Sequence, residues 1–219
     1  MKSRIILLGP PASGKGTQAE MLAAKYGYPS ASTGAFLREE RARGTEIGRE
    51  ADAWTSRGMY FPDEIALRVI EQWLAAHGIG KFILDGFPRT LPQAKAFDEL
   101  LARLGLGVDV VFDLQLPDGE IHNRVANRIT CTHCGASFSM MLHGVKEGDS
   151  CPSCGMELVR RRDDTAAALG ERLEQHRVHT GPVIAYYRET GRLVEVDASI
   201  GRDHVFEKLC ECIEEAVPA

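Results

Sequence analysis

Three groups of residues in this sequence have types and spacings suited to chemistry. The first is the run Gly9-Pro10-Pro11-Ala12-Ser13-Gly14-Lys15-Gly16-Thr17, which follows the apolar stretch Ile5-Ile6-Leu7-Leu8 and leads into helix formers up to Tyr26. Glycines let a backbone curl until successive N–H groups converge on one anion. A helix starting at that point adds the positive end of its dipole. Lys15 supplies a full positive charge to outer phosphates, and Thr17 a hydroxyl in the region where magnesium would sit. The order strand, glycine-rich loop, helix is the context that a phosphate-binding loop requires. The generic motif has Ser or Thr directly after the lysine, whereas here Gly16 intervenes.

The second group is Cys131-x2-Cys134 and Cys151-x2-Cys154, separated by 16 residues, each pair followed by a glycine (Gly135 and Gly155). Four thiolates at this spacing close a tetrahedral shell around zinc and leave no open position for chemistry. Such an ion would stiffen a segment too small to hold itself together. Disulfides are the alternative, and cobalt or iron could fill the same shell. His133 and His143 could stand in for a cysteine, but four well-spaced thiols leave no vacancy. Cys210 and Cys212 lack a partner pair and are expected to be packing residues on a C-terminal helix.

The third group is a scatter of cations: Arg38, Arg89, Arg124, Arg128, Arg161 and Arg172. The 219-residue chain carries a net charge of -5 and 44% hydrophobic residues, so it has no global basic field to attract nucleic acid or an anionic membrane. Phosphates would have to be met by a local cluster. No apolar run is long enough for a membrane span or a signal segment, so a cytoplasmic location is expected.

These residues need elements to position them. Short apolar, strand-like runs occur at 4–8, 81–84, 108–116 and 193–196. Helix-compatible stretches occupy 17–26, 35–56, 63–77, 92–104, 118–127, 164–189 and 203–215. Nearly uninterrupted apolar strands alternating with helices predict an α/β fold with a parallel sheet covered on both faces. Residues 130–159, rich in Gly, Ser and Cys, break the pattern and predict an insertion with its own support.

The Gly14-Lys15-Gly16-Thr17 ending, Ser32-Thr33-Gly34 followed by Arg38, and Leu84-Asp85-Gly86-Phe87-Pro88-Arg89-Thr90 resemble the nucleoside monophosphate kinases. With Arg161-Arg162-Asp163-Asp164 and Arg172, the chain resembles the adenylate kinases that have a long, zinc-type lid. The resemblance implies a P-loop three-layer core (1–31, 62–126 and 165–219), a helical AMP-binding segment (32–61) and a small metal-binding lid built on the four cysteines (127–164). It implies reversible, magnesium-dependent phosphoryl transfer from ATP to AMP giving two ADP, by a monomer with no nucleic-acid or membrane partner. Thr33, Arg38, Met59, Tyr60, Phe61, Gly86, Phe87, Pro88, Arg89 and Gln93 would surround AMP, with Arg161 and Arg172 reaching its phosphate. Ala12, Ser13, Gly14, Lys15, Gly16, Thr17, Arg124, Arg128, Ser137, Phe138 and Ile200 would lie on the ATP side, and Asp85 with Thr17 would hold Mg2+ through water. Lys15, Arg89, Arg128, Arg161 and Arg172 would stabilise the transferring group, with no general base. Arg124, one helical turn before Arg128 on the same face, would join that cluster or stack on adenine.

Gln93 offers an amide donor and acceptor that suit the adenine edge better than a base carrying O6. Gly58, Gly86 and Gly170 are candidate hinges. The chain departs from many family members at Ala12, where glycine is common, and at Ala35, Ala166-Ala167-Ala168-Leu169 and Ala198. If position 12 needs φ > 0, alanine is strained there. Alternatives are a kinase for UMP, CMP or GMP, and a nucleotide-binding zinc-ribbon protein that has lost catalysis.

Overall fold

The computed structural model describes residues 1–55, 57, 59–60, 62–161 and 163–215; within these, the side chains of residues 38, 39, 41, 42, 51, 52 and 55 are not described. Phe61, Gly58 and Arg162, and the side chain of Arg38, therefore lie outside the described residues.

The chain opens with β1 (Arg4–Leu8) and α1 (Lys15–Tyr26), followed by β2 (Ser30–Ser32), α2 (Thr33–Ala42), α3 (Glu46–Thr55), α4 (Asp63–His77), β3 (Phe82–Asp85), α5 (Leu91–Ala102), β4 (Val110–Gln115) and α6 (Asp118–Ala126). A small insertion comes next, made of β5 (Arg128–Cys131), β6 (Ser137–Ser139), α7 (Met140–His143) and β7 (Leu158–Val159). The chain closes with α8 (Ala166–Gln175), a π-helical turn (His176–Thr180), α9 (Gly181–Glu189), β8 (Leu193–Asp197) and α10 (Arg202–Glu214). Among the described residues the main sheet has the order β2-β3-β1-β4-β8, and every pairing in it is parallel.

Successive side chains of a strand point to opposite faces, so an unbroken apolar strand must be covered twice. Ile5 and Leu7 of β1 join Val110, Phe112, Leu22, Leu209 and Ile213 on one face. Ile6 and Leu8 join Phe82, Leu84, Ile70, Phe97, Val183 and Tyr187 on the other. The expected parallel sheet with helices on both faces is what the chain builds. Its strands end at Leu8, Ser32 and Asp85, which places the phosphate loop, the start of α2 and Asp85 on one edge.

Two expected helices are broken. The stretch 35–56 divides into α2 and α3 around Gly44, which takes a φ of 66°. Thr45 fixes the break, because its hydroxyl donates to Glu40 Oε2 (2.8 Å) and accepts the Gly48 N–H (3.2 Å). The stretch 164–189 is interrupted by the π turn. Pro182, in the first turn of α9, has no N–H for a ladder bond, so the backbone reorganises just before it. The strand β2 carries no visible alternation, having only three residues.

The insertion forms an antiparallel sheet of order β6-β5-β7. Among the described residues its apolar core is four buried side chains, Ile129, Cys131, Cys151 and Leu158, two of which are cysteines. That is too little apolar surface to hold a sheet by itself.

Candidate active site

The phosphate loop owes its shape to a few backbone positions. Gly9 has a φ of 140°, and a Cβ there would stand 2.6 Å from the Leu114 carbonyl oxygen, so only glycine fits. Ala12 takes a φ of 61°, the left-handed conformation that alanine adopts at a cost. Its methyl packs against the core below, and its carbonyl faces Arg124 Nη1 at 3.4 Å. Ala12→Gly is expected to raise the melting temperature by about 1–3 °C. Relief of ~1–2 kcal/mol of strain is partly offset by roughly 0.4–1 kcal/mol of extra freedom in the unfolded chain. A fall in melting temperature by calorimetry would mean that the methyl contact dominates.

Lys15, at the start of α1, donates to the carbonyls of Gly9 (2.8 Å) and Pro10 (2.7 Å) and to Ser13 Oγ (3.2 Å). Burial pushes its ammonium down to about 8; Asp85 opposes that shift, and Arg89, Arg172 and Arg128 add to it. Four cations that are far apart in sequence thus act on one another in space. The Asp85 carboxylate stands beside Gly16, 3.5 Å from where a Cβ on that glycine would lie. Ser13 is buried and Thr17 exposed at the loop's end.

On the β2–β3 side, Thr33 Oγ1 donates to the Gly86 carbonyl (3.1 Å), and Arg89 Nε donates to the same oxygen (2.7 Å). Gly86 has a φ of 69°, and a Cβ would sit 3.2 Å from Arg89 Nη2, so the glycine makes room for the guanidinium. Phe87 is buried, edge-on to Phe97 at 5.3 Å, and its side chain serves the core. The Phe87–Pro88 peptide is cis. Thr90 caps α5, accepting the Gln93 N–H at 3.3 Å, and donates to Asp63 at 3.0 Å. Gln93 Oε1 accepts the Arg89 N–H (2.8 Å) and its Nε2 donates to Asp63 Oδ1 (2.7 Å). Each end of that amide keeps a second hydrogen-bonding position. Met59 and Tyr60 are half-buried; the Tyr60 ring lies under the Arg89 guanidinium, 4.8 Å from centroid to Cζ.

On the insertion side, Arg128 forms a two-pronged pair with Asp164 through Nε (2.8 Å) and Nη2. Arg172 Nη1 reaches Asp163 at 3.1 Å and Asp164 at 3.5 Å. Desolvation alone would raise the Asp163 carboxyl, but Arg172, Arg161 and Arg128 more than reverse this and hold it low. Burial lowers Arg172, as do the nearby Arg128 and Arg89. Arg161 donates to Thr130 Oγ1 (3.0 Å) and Ser137 Oγ (2.9 Å), which ties it to β5 and β6. Phe138 packs on the insertion's small core.

Helix α6 ends at Ala126, so Arg128 belongs to β5 and does not share a helical face with Arg124. Arg124 instead donates to the Ala198 carbonyl (2.7 Å) and clips the phosphate loop to the segment after β8. Ile200 is exposed on that same segment. Of the expected hinges, Gly170 lies inside α8, with open space around it.

The four cysteines converge. Cys131 and Cys154 sulfurs are 3.5 Å apart, those of Cys134 and Cys151 are 3.7 Å apart, and all four lie within 4.8 Å of one another. A disulfide needs about 2.05 Å. A tetrahedron of Zn–S bonds of about 2.3 Å has edges of about 3.8 Å, close to the two short sulfur contacts of 3.5 Å and 3.7 Å. Backbone N–H groups of Cys134 and His133 hold the Cys131 thiol below its ordinary value, against desolvation. The donor set therefore fits zinc. His143 bonds Ser139 locally, with Nδ1 3.0 Å from its N–H. Cys210 is a core residue, as expected.

Four residues near the cation cluster were not singled out for a role from sequence. Asp163 and Asp164 hold arginines in place. Burial, followed by Lys15, Arg89 and Arg177, pushes His176 down to about 4. Thr180 donates to the Arg89 carbonyl at 3.2 Å. The only available signal was the Arg-Arg-Asp-Asp string; a lone His and Thr in a helical stretch carry none.

A family profile described as adenylate kinase matches residues 7–192. An adenylate kinase of Archaeoglobus fulgidus is 40% identical over 211 residues, 96% of this chain and 97% of that protein. One from Methanosarcina acetivorans is 42% identical over 94% of this chain and 95% of its own length. One from Thermodesulfovibrio yellowstonii is 38% identical over 96% and 99%. A strand-end phosphate loop, a cluster of converging cations and this near-full-length likeness agree: the chain belongs to the adenylate kinase family.

Proposed function

We propose that the chain transfers the terminal phosphoryl group of ATP to AMP, reversibly, giving two ADP. The observation that carries this reading is the mutual electrostatic influence of Lys15, Arg89, Arg128 and Arg172 at one edge of the sheet. Two polyanions repel, and guanidinium forks with one ammonium neutralise them in fixed geometry. Phosphoryl transfer needs in-line placement and neutralised charge, with no general base. Residues 32–61 serve as the AMP segment, with Thr33, Arg38, residues 59–61, Gly86 to Arg89 and Gln93 around AMP. Residues 127–164 form the lid, bringing Arg128, Ser137 and Phe138 to the ATP side with Ala12 to Thr17, Arg124 and Ile200; Arg161 from the lid and Arg172 from α8 reach the AMP phosphate.

Lys15 exchanges its loop carbonyls for phosphate oxygens when ATP binds. Arg128 and Arg172 are pre-aimed by Asp163 and Asp164, so less ordering is required on binding. Asp85 and Thr17 would hold magnesium through water, where it would supply neutralisation of phosphate charge. Lid closure excludes water, the competing acceptor. Both nucleotide sides come from one chain, which supports a monomeric working unit. The four lid cysteines hold zinc in a structural role. Among the described residues no helix is long and apolar enough to cross a membrane, and free thiols suit a cytoplasmic location.

The decisive test is a coupled assay of ADP formation from ATP with AMP, UMP, CMP or GMP in turn. AMP should be preferred by at least about tenfold, a difference of ~1.4 kcal/mol. Preference for another base would overturn the assignment, as would ATP binding without turnover.

A further inference from the structure

Arg89 is held at more points than a phosphate ligand alone would need. Its guanidinium lies over the Tyr60 ring at 4.8 Å. Its carbonyl accepts the Thr180 hydroxyl at 3.2 Å. The Tyr60 hydroxyl stands 3.1 Å from Thr180 Oγ1. A hydroxyl has a single proton. Thr180 gives its proton to Arg89, so Tyr60 must donate to Thr180, and the relay runs Tyr60 to Thr180 to Arg89. One tyrosine thereby touches the side chain of Arg89 directly and its main chain through one threonine.

The elements involved are distant in sequence. Tyr60 belongs to the segment between α3 and α4, and Thr180 ends the π turn. That turn is the place where the helical ladder is rebuilt before Pro182, and such distortions commonly aim side chains at functional sites. The charge of Arg89 is also felt at the turn's other end. His176 has a buried Nε2 with no hydrogen-bond partner among the described residues, and Arg89 is one of the charges acting on it. A neutral imidazole adds no repulsion against the guanidinium. His179 flanks the Tyr60 ring at 6.0 Å.

We propose that Tyr60 and the turn His176–Thr180 form a positioning cage for Arg89, so that the placement of the AMP segment sets the aim of that guanidinium. The inference deepens the proposed function and rests on Arg89 meeting the AMP phosphate. Tyr60 and Thr180 are positioning residues here and act through Arg89. A cation held over an aromatic face gains more when desolvated, which favours the arrangement in a half-buried site.

The test is AMP and ATP affinity of the full chain by calorimetry. Tyr60→Leu is expected to weaken AMP about tenfold and Thr180→Val about three- to tenfold, with ATP changed less than about twofold. Tyr60→Phe, which keeps the stack and loses the relay, should fall between wild type and Tyr60→Leu. Thr180→Ser, which keeps the hydroxyl, should match wild type. In an Arg89→Ala background the losses from Tyr60→Leu and Thr180→Val should disappear. Losses of equal size in that background would overturn the cage, as would equal losses for ATP. If Arg89→Ala alone leaves AMP affinity unchanged, the premise about Arg89 falls, and this outcome is distinguishable from failure of the cage.

Discussion

Lys15→Ala is expected to lower turnover by at least about two to three orders of magnitude, the range seen when one preorganised charge stabiliser is removed from a transition state. The Lys15 ammonium is held at the loop by three bonds that phosphate oxygens replace, and Arg89, Arg128 and Arg172 act on the same point. Steady-state ADP formation checks this, and near-normal turnover would contradict the role given to Lys15. The same residue carries a pH signature. Its pKa in the fold is about 8, below the unfolded value of 10.5, because burial disfavours the charge. Between those values the unfolded chain binds more protons, so this group's contribution to stability rises with pH. The melting temperature of wild type relative to Lys15→Met should therefore improve from about pH 7 to about pH 10.

Removing the lid metal should have the largest effect on stability. The insertion offers a core of only four buried residues, two of them cysteines in the metal shell. Structural zinc contributes apparent binding energies of about 10–16 kcal/mol in small domains. Loss of even a few kcal/mol of this corresponds to a fall of ~10 °C in melting temperature for a chain of this size. Metal analysis, then calorimetry before and after chelation, checks the expectation. Magnesium-dependent transfer should persist in protein that remains folded, because a closed shell of four thiolates has no open position for the transferring group. An unchanged melting curve after verified metal removal would refute the structural role.

The cysteine spacing and the phosphate loop were both legible in the sequence because their geometry is local. A knuckle places two sulfurs within four residues, and the loop's anion cradle is set by consecutive backbone conformations. The expected strain at Ala12 follows from the same locality and appears as a φ of 61°. Helix continuity was less legible. The stretches 35–56 and 164–189 are good helix formers through most of their length, and single features, Gly44 with Thr45 and Pro182, divide them. The three-residue β2 is too short to carry a period. The shared helical face expected for Arg124 and Arg128 failed because α6 stops at Ala126 and the chain turns into the small antiparallel sheet.

From the sequence alone came the alternation of buried strands and helices, the phosphate loop, the four-cysteine cluster and the family string around Asp85. Most of these depend on neighbours close along the chain. Tertiary structure decided which cations meet, that Asp163 and Asp164 pair with Arg128 and Arg172, and that Tyr60 and Thr180 touch Arg89. These contacts join residues from 9 to 91 positions apart, and their geometry is set by crossovers between parallel strands and by the antiparallel pairing that closes the insertion. Local periodicity holds no record of where a crossover returns the chain, so an arginine in the site and an arginine in solvent look alike until the sheet is assembled.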